Sequence, residues 1–94
     1  MKQNLTATQA EIDFLHKEIS SRVRFFRKTK NRSQLELATD IGFSSSTFFG
    51  NAEANRENKH FNLEHLYLIA KSLDICICNF IPQAQNCLNK ELTF

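Results

Sequence analysis

Several features that other classes of protein need are scarce in this chain of 94 residues. It has two glycines, one proline and no tryptophan, which leaves little of the turn chemistry that an all-β or α/β fold requires. No apolar run approaches the ~20 residues of a membrane span, and residues 1–4 lack the apolar stretch of a secretory signal. We therefore expect an all-α, cytoplasmic protein without membrane contact.

Groupings of residues that carry catalysis or bind metals are also scarce. The three cysteines, Cys76, Cys78 and Cys87, are odd in number, and together with His60 or His65 they match no zinc-ligand spacing. We expect them to be free thiols. Cysteines of this kind are more often small buried residues than parts of a metal or redox site. No Ser/His/Asp set, carboxylate pair or glycine-rich phosphate loop occurs, so we expect no cofactor and no enzyme activity.

The positive charge of the chain is concentrated in one segment. Residues 22–32 contain six cations and no acid, whereas the rest of the chain has six cations against ten acids. Such polarity is expected of a protein that presents one face to a polyanion, although a solvated helix face is the plainer alternative. The six cations are Arg22, Arg24, Arg27, Lys28, Lys30 and Arg32.

Helix signals divide the chain into an arm (1–8), one domain (9–82) and a tail (83–94). A chain of this length buries only about 60–65% of its unfolded surface, so it can form one core. Capping boxes of the form S/T-x-x-E at Thr8 and Ser33 predict helices over about 9–29 and 34–41. The tail, with apolar residues four apart, is either a marginal helix or a frayed end.

Three further helices are expected in the domain. Gly42 is suited to end the second helix, and Ser44 can cap a third helix over about 45–52 after a turn of about three residues. A loop covers residues 54–61, and then Asn62 can cap a fourth helix. A short fifth helix over about 77–81 is stopped by Pro82.

Two short helices joined by a tight glycine-containing turn form a helix-turn-helix, which places its second helix in the major groove of DNA. The chain has the run Ser-Gln-x-x-Leu-Ala-x-x-x-Gly-x-Ser-x-Ser-Thr at 33–47, together with Leu66, Ile69-Ala70 and Leu73. In these residues the sequence resembles the Cro and phage-repressor type of regulator, the XRE family. The resemblance covers roughly residues 18–81. It implies a five-helix, lambda-repressor-like domain, here with an extended first helix, in a homodimeric transcriptional regulator, commonly a repressor, that binds paired half-sites.

Candidate DNA contacts follow from the motif and from the basic segment. Ser45, Ser46, Phe49 and Gly50 occupy the outward positions of the third helix and are candidates for reading bases. Phe48 and Phe49 cannot both face inward, and the sequence does not decide between them. The candidates for binding phosphate are Arg24, Arg27, Lys28, Arg32, Gln34, Thr47, Arg56 and Lys59.

The chain departs from the family pattern at several positions. Asn51 stands where an apolar residue is usual, Glu53 comes one position late, and Asp74 replaces a frequent glycine. The end of the third helix is therefore expected to be shifted or shortened. The third helix has no Arg or Gln before Asn51, which indicates weaker direct readout of bases. DNA shape is then expected to supply the rest of the specificity.

Three interpretations remain open for the function. The leading one is a dimeric, sequence-specific DNA-binding regulator. The chain is similar to controller proteins of restriction–modification systems in two features, the extension of its first helix, where Phe14 and Leu15 need cover, and residues 53–56. A related alternative is an antitoxin that binds its operator and a toxin. A protein-interaction module that has lost DNA binding is the third.

Overall fold

The computed structural model describes residues 5–82, and this part of the chain folds into four α-helices followed by a 3₁₀ helix. The helices are α1 (Gln9–Thr29), α2 (Gln34–Asp40), α3 (Thr47–Glu53) and α4 (Leu63–Leu73), and the 3₁₀ helix is Ile77–Phe80. The all-α class is confirmed. A fifth α-helix is not, since its predicted position holds the 3₁₀ helix. The predicted tail and Cys87 lie outside the described residues.

Side chains satisfy the backbone at the start of three helices. The Thr8 Oγ1 atom accepts the N–H of Glu11 at 3.1 Å while the Glu11 carboxylate accepts the N–H of Thr8 at 2.8 Å. Ser33 makes the same reciprocal pair at α2. At α4 the cap is Asn62, and the Nδ1 atom of His65 accepts the Asn62 N–H at 3.1 Å. The three predicted helix starts are confirmed.

The third helix begins later than the sequence predicts. It starts at Thr47 rather than Ser45, follows Ser46 without a side-chain cap, and ends at Glu53. Residues 41–46 form the turn, which includes Gly42 at a φ of 100°. Ser44 is therefore not the cap, and the helix is shifted toward the carboxyl end and is one residue shorter than predicted. Residues 49, 52 and 53 share one face of this helix and are buried.

The core lies between α1 and the remaining helices. Phe49 and Phe61 pack edge to face with their ring centroids 5.0 Å apart, and Phe26 packs on Phe80 at 6.1 Å. The amino-terminal part of α1 extends past this core, and Phe14 is 60% exposed. The buried apolar residues are Val23, Leu37, Ala38, Ile41, Phe49, Ala52, Phe61, Leu66, Ile69, Ala70, Leu73 and Phe80.

The loop after α3 is fastened to α1 by two contacts. The Ser20 hydroxyl lies 3.2 Å from Asn55 Oδ1, and the rings of His16 and His60 stack with centroids 3.7 Å apart and an angle of 8° between their planes. Asn55, Glu57 and Asn58 adopt left-handed backbone conformations in this loop. Among residues 5–82 no helix combines the length and apolar character needed to cross a bilayer.

Candidate nucleic-acid interface

A buried polar network joins α1, α2 and α3. The Arg27 guanidinium donates two hydrogen bonds to the Glu53 carboxylate, from Nε at 2.8 Å and from Nη2 at 3.0 Å. Gln34 Nε2 donates to the same carboxylate at 2.8 Å. The Arg27 and Glu53 side chains are 10% and 3% exposed, so this pair sits in the interior. It fixes the end of α3 against α1 and the start of α2.

A second contact sets the same alignment two turns away along α1. The Ser20 hydroxyl donates to the carbonyl oxygen of Ala52 at 3.0 Å, and this bond is buried. Ser20 and Arg27 are seven residues apart and lie on one side of α1. That side of α1 therefore faces α3, whereas Phe26, which packs on Phe80, lies on the side toward the 3₁₀ helix.

Three cations form a ridge on α1 next to the side that holds the carboxyl end of α3. Lys17, Arg24 and Lys28 are all exposed and share one side of the helix. This side is rotated roughly 70° from the Ser20 and Arg27 side, away from the core, at ~100° per residue. We call these three residues the cationic ridge. Within residues 5–82, none of the three forms a salt bridge.

The start of α3 presents hydroxyl groups. Ser45 and Thr47 are exposed and Ser46 is half-buried, and the Ser45 hydroxyl oxygen accepts the N–H of Thr47 at 3.4 Å. Hydroxyl groups both donate and accept hydrogen bonds, so they can meet a phosphate or a base edge. Three predicted contacts, Ser45, Ser46 and Thr47, thus lie together at the turn before α3 and in its first residue.

Two of the predicted base contacts are wrong in their placement. Phe49 has no exposed surface because it fills the core against Phe61, so it cannot touch a base. Gly50 faces Gln34, since a Cβ atom at Gly50 would lie 3.2 Å from Gln34 Oε1. Gly50 thus permits the close approach of α2 and α3. The even choice between Phe48 and Phe49 is resolved, as Phe48 is half-buried and Phe49 is fully buried.

The prediction that Arg27 contacts phosphate is also wrong, because its guanidinium is paired with the Glu53 carboxylate. Gln34 is committed to the same network. Arg32 is engaged as well: its Nη2 atom donates to Asp40 Oδ2 at 2.6 Å, and its side chain is 27% exposed. Arg24 and Lys28 remain as exposed candidates on α1.

The loop after α3 carries the other two predicted cations. Arg56 and Lys59 are both exposed. The Nε atom of Arg56 donates to Asn51 Oδ1 at 3.3 Å, which orients the guanidinium from the last turn of α3. Asn51, unusual in the family pattern, is half-buried and serves as this acceptor. The loop therefore extends the positive surface beyond the carboxyl end of α3.

No family model, curated protein or solved structure matches this chain. The likeness to the XRE family therefore depends on the sequence pattern of residues 33–47 and the helix that follows the loop.

Lys17 was not among the sequence candidates, yet it belongs to the cationic ridge. It lies outside the acid-free segment, and the signal that identifies it is its spacing of seven and eleven residues from Arg24 and Lys28.

The expectation of buried cysteines is wrong for Cys76 and Cys78, which are both exposed. Within residues 5–82, no three His, Cys, Asp or Glu side chains come together as metal ligands.

Proposed function

We propose that this protein is a sequence-specific DNA-binding transcriptional regulator that acts as a homodimer on paired half-sites. The observation that carries the proposal is that the cationic ridge adjoins the side of α1 that holds the carboxyl end of α3. The buried bonds from Arg27 to Glu53 and from Ser20 to Ala52 hold the two helices in that relation. A helix flanked by cations suits a duplex, because phosphates border the groove that the helix enters.

In this proposal the two sets of residues have different roles. The ridge and the loop cations Arg56 and Lys59 bind phosphates, which supplies affinity without sequence information. Ser45, Ser46 and Thr47 meet base edges or nearby phosphates. Hydroxyl groups discriminate bases poorly because they donate and accept alike. Sequence-dependent DNA shape therefore supplies much of the specificity.

The test is a titration of fluorescence anisotropy with duplex DNA at several salt concentrations. The logarithm of the association constant should fall linearly with the logarithm of the salt concentration. The double variant Arg24→Glu/Lys28→Glu should weaken binding to every duplex and reduce the magnitude of the slope by about two. Lys71→Glu on α4, an exposed charge reversal away from α3, is the matched control and should change neither quantity appreciably.

A second measurement tests the proposed readers. Selection of bound sequences from a random pool should return a changed preference for Ser45→Ala and Thr47→Ala, with the salt slope retained. An unchanged preference in both variants would remove the turn before α3 from the proposed interface.

A protein-interaction module that has lost DNA binding is the second candidate. The observation that favours it is that α3 has few side chains suited to contact bases. It has no Arg, Lys or Gln, its Phe49 is buried, and its Gly50 faces Gln34. The same salt titration separates the two candidates. A flat response with random duplex DNA would support the interaction module and overturn DNA binding.

A further inference from the structure

Two exposed cysteines flank Ile77 at the junction between α4 and the 3₁₀ helix. Helix α4 ends at Leu73, and the residue that follows it, Asp74, adopts a left-handed conformation with a φ of 59°. The chain then reverses, and Cys76 becomes the cap of the 3₁₀ helix: its Sγ atom accepts the backbone N–H of Cys78 at 3.3 Å. Neither thiol is needed to fill the core, since both are exposed to solvent.

The backbone keeps the Cα atoms of the two cysteines close to the separation that a disulfide spans. Cα atoms two residues apart are separated by no more than about 7 Å, and disulfides span about 4.4–6.8 Å between Cα atoms. Cys76 is extended, with φ −75° and ψ 137°, but the chain turns into the 3₁₀ helix directly after it. The contact from the Cys78 N–H to the Cys76 sulfur shows that this sulfur already points toward Cys78.

The surroundings make the two thiols chemically unequal. Contact with the Cys78 thiol, followed by the backbone hydrogen bond from Cys78, lowers the pKa of Cys76. Contact with the Cys76 thiol raises the pKa of Cys78. A thiol with a lower pKa is present more often as thiolate, which is the attacking species in thiol–disulfide exchange. Cys76 is therefore suited to attack first and Cys78 to follow.

We propose that Cys76 and Cys78 form a dithiol–disulfide site that exchanges with low-molecular-weight disulfides of the glutathione type. A metal centre built from three or four protein ligands is disfavoured, because within residues 5–82 no three His, Cys, Asp or Glu side chains come together as ligands. Two sulfur atoms suffice for exchange. The site is separate from the proposed DNA contacts and does not depend on them.

The exchange balances in two steps. The Cys76 thiolate attacks one sulfur of the small disulfide, forms a mixed disulfide and releases one small thiolate, which takes up a proton. The Cys78 thiol then loses its proton to solvent and attacks the Cys76 sulfur, which closes the Cys76–Cys78 bond and releases the second small thiol. Two protein thiols are oxidised, and one small disulfide is reduced to two thiols.

The test uses the full chain carrying Cys87→Ser, incubated with mixtures of oxidised and reduced glutathione and analysed by mass spectrometry after alkylation. In most molecules, the tryptic fragment that contains both cysteines should be unalkylated at these positions and lighter than the reduced fragment by the mass of two hydrogens. A chain that stops at the mixed disulfide, or stays reduced when glutathione disulfide is in excess, would overturn the proposal.

Two further variants test the order of attack in the same Cys87→Ser background. Cys78→Ser should accumulate the mixed disulfide with glutathione, because no second thiol resolves it. Cys76→Ser should react several-fold more slowly, because it removes the sulfur that accepts the backbone N–H of Cys78, a hydrogen bond that stabilises the attacking thiolate. Equal reaction rates in the two variants would refute the assignment of Cys76 as the attacking thiol. In the chain with all three cysteines, a disulfide that uses Cys87 in preference would refute the pair itself.

Discussion

Phe49 is the residue whose predicted role changes most, from a base contact to a fully buried side chain that, with Phe80, is among the largest in the core of residues 5–82. Phe49→Ala should lower the free energy of unfolding by about 3–5 kcal/mol, because it removes a buried ring and leaves a cavity next to Phe61. Phe25→Ala is the matched control: the Phe25 ring is 62% exposed, so its loss should cost within about 0.5 kcal/mol. Urea unfolding followed by circular dichroism measures both, and similar costs would contradict the burial of Phe49.

The Arg27–Glu53 pair predicts a different pattern at the residue scale. Glu53→Leu leaves the buried Arg27 cation without its partner and should cost about 3–5 kcal/mol of unfolding free energy. The double variant Arg27→Met/Glu53→Leu removes both charges and should recover most of that loss. Asp40→Ala breaks the more exposed Arg32 pair and should cost about 1 kcal/mol or less.

The same unfolding assay decides between the two roles of Arg27. A double variant as unstable as Glu53→Leu alone would show that the buried charge is not the cause of the loss. If Arg27 contacted phosphate instead, Glu53→Leu would leave stability largely unchanged.

The sequence could not place Phe49 and Arg27 because their positions depend on partners distant along the chain. Phe48 and Phe49 are adjacent on a short helix, and both rings pack on Phe61, although only Phe49 is fully buried. Arg27 shares a basic segment with Arg24, and its burial depends on Glu53, 26 residues later. Periodicity could assign Arg24 and Lys28 to an exposed side of α1, but it could not identify an ion pair.

At the scale of elements, the start of α2 should contribute stability whereas the start of α3 should not. Ser33→Ala removes a side-chain cap and should cost about 1 kcal/mol of unfolding free energy. Ser46→Ala removes no cap bond and should change that free energy by no more than about 0.5 kcal/mol. Denaturation midpoints measure the difference. A loss for Ser46→Ala equal to that for Ser33→Ala would contradict the uncapped start of α3.

The presence or absence of local signals explains which elements could be predicted. Helices α1, α2 and α4 begin at reciprocal caps that are visible in the sequence at Thr8, Ser33 and Asn62. Helix α3 has no such cap, and several serines in succession offer equivalent starting points. Its carboxyl end is fixed by the bond from Arg27 to Glu53, which no local pattern reveals.

At the scale of the whole molecule, α1 organises the candidate site by separating two surfaces. One side of α1 holds α3 through Ser20 and Arg27, with the cationic ridge next to it. The other side packs on the 3₁₀ helix through Phe26 and Phe80. The concentration of charge in residues 22–32 could be predicted from the sequence, but the placement of Arg24 and Lys28 beside α3 required the contacts between helices.

Two histidines make the stability of the whole domain sensitive to mild acid. Burial, and then the neighbouring His60, lower the pKa of His16 from 6.5, against an opposing effect of Asp13. Burial among Phe43, Phe48 and Phe61 lowers the pKa of His65 from 6.5, opposed by Glu64. A protonated Nδ1 atom in His65 could not accept the Asn62 N–H, so the folded domain favours the neutral ring.

The sign of the pH dependence follows from proton uptake. The unfolded chain binds protons at these two histidines near pH 6.5, whereas the folded chain binds them at lower pH. The free energy of unfolding should therefore be greatest above pH 6.5 and should fall as the pH drops through the unfolded value toward the lower folded values. His65→Gln keeps a capping acceptor without titrating, so combining it with His16→Gln should flatten the dependence between about pH 7 and pH 5. Urea unfolding across this range measures the slope, and an equal slope in the double variant would exclude both histidines as its source.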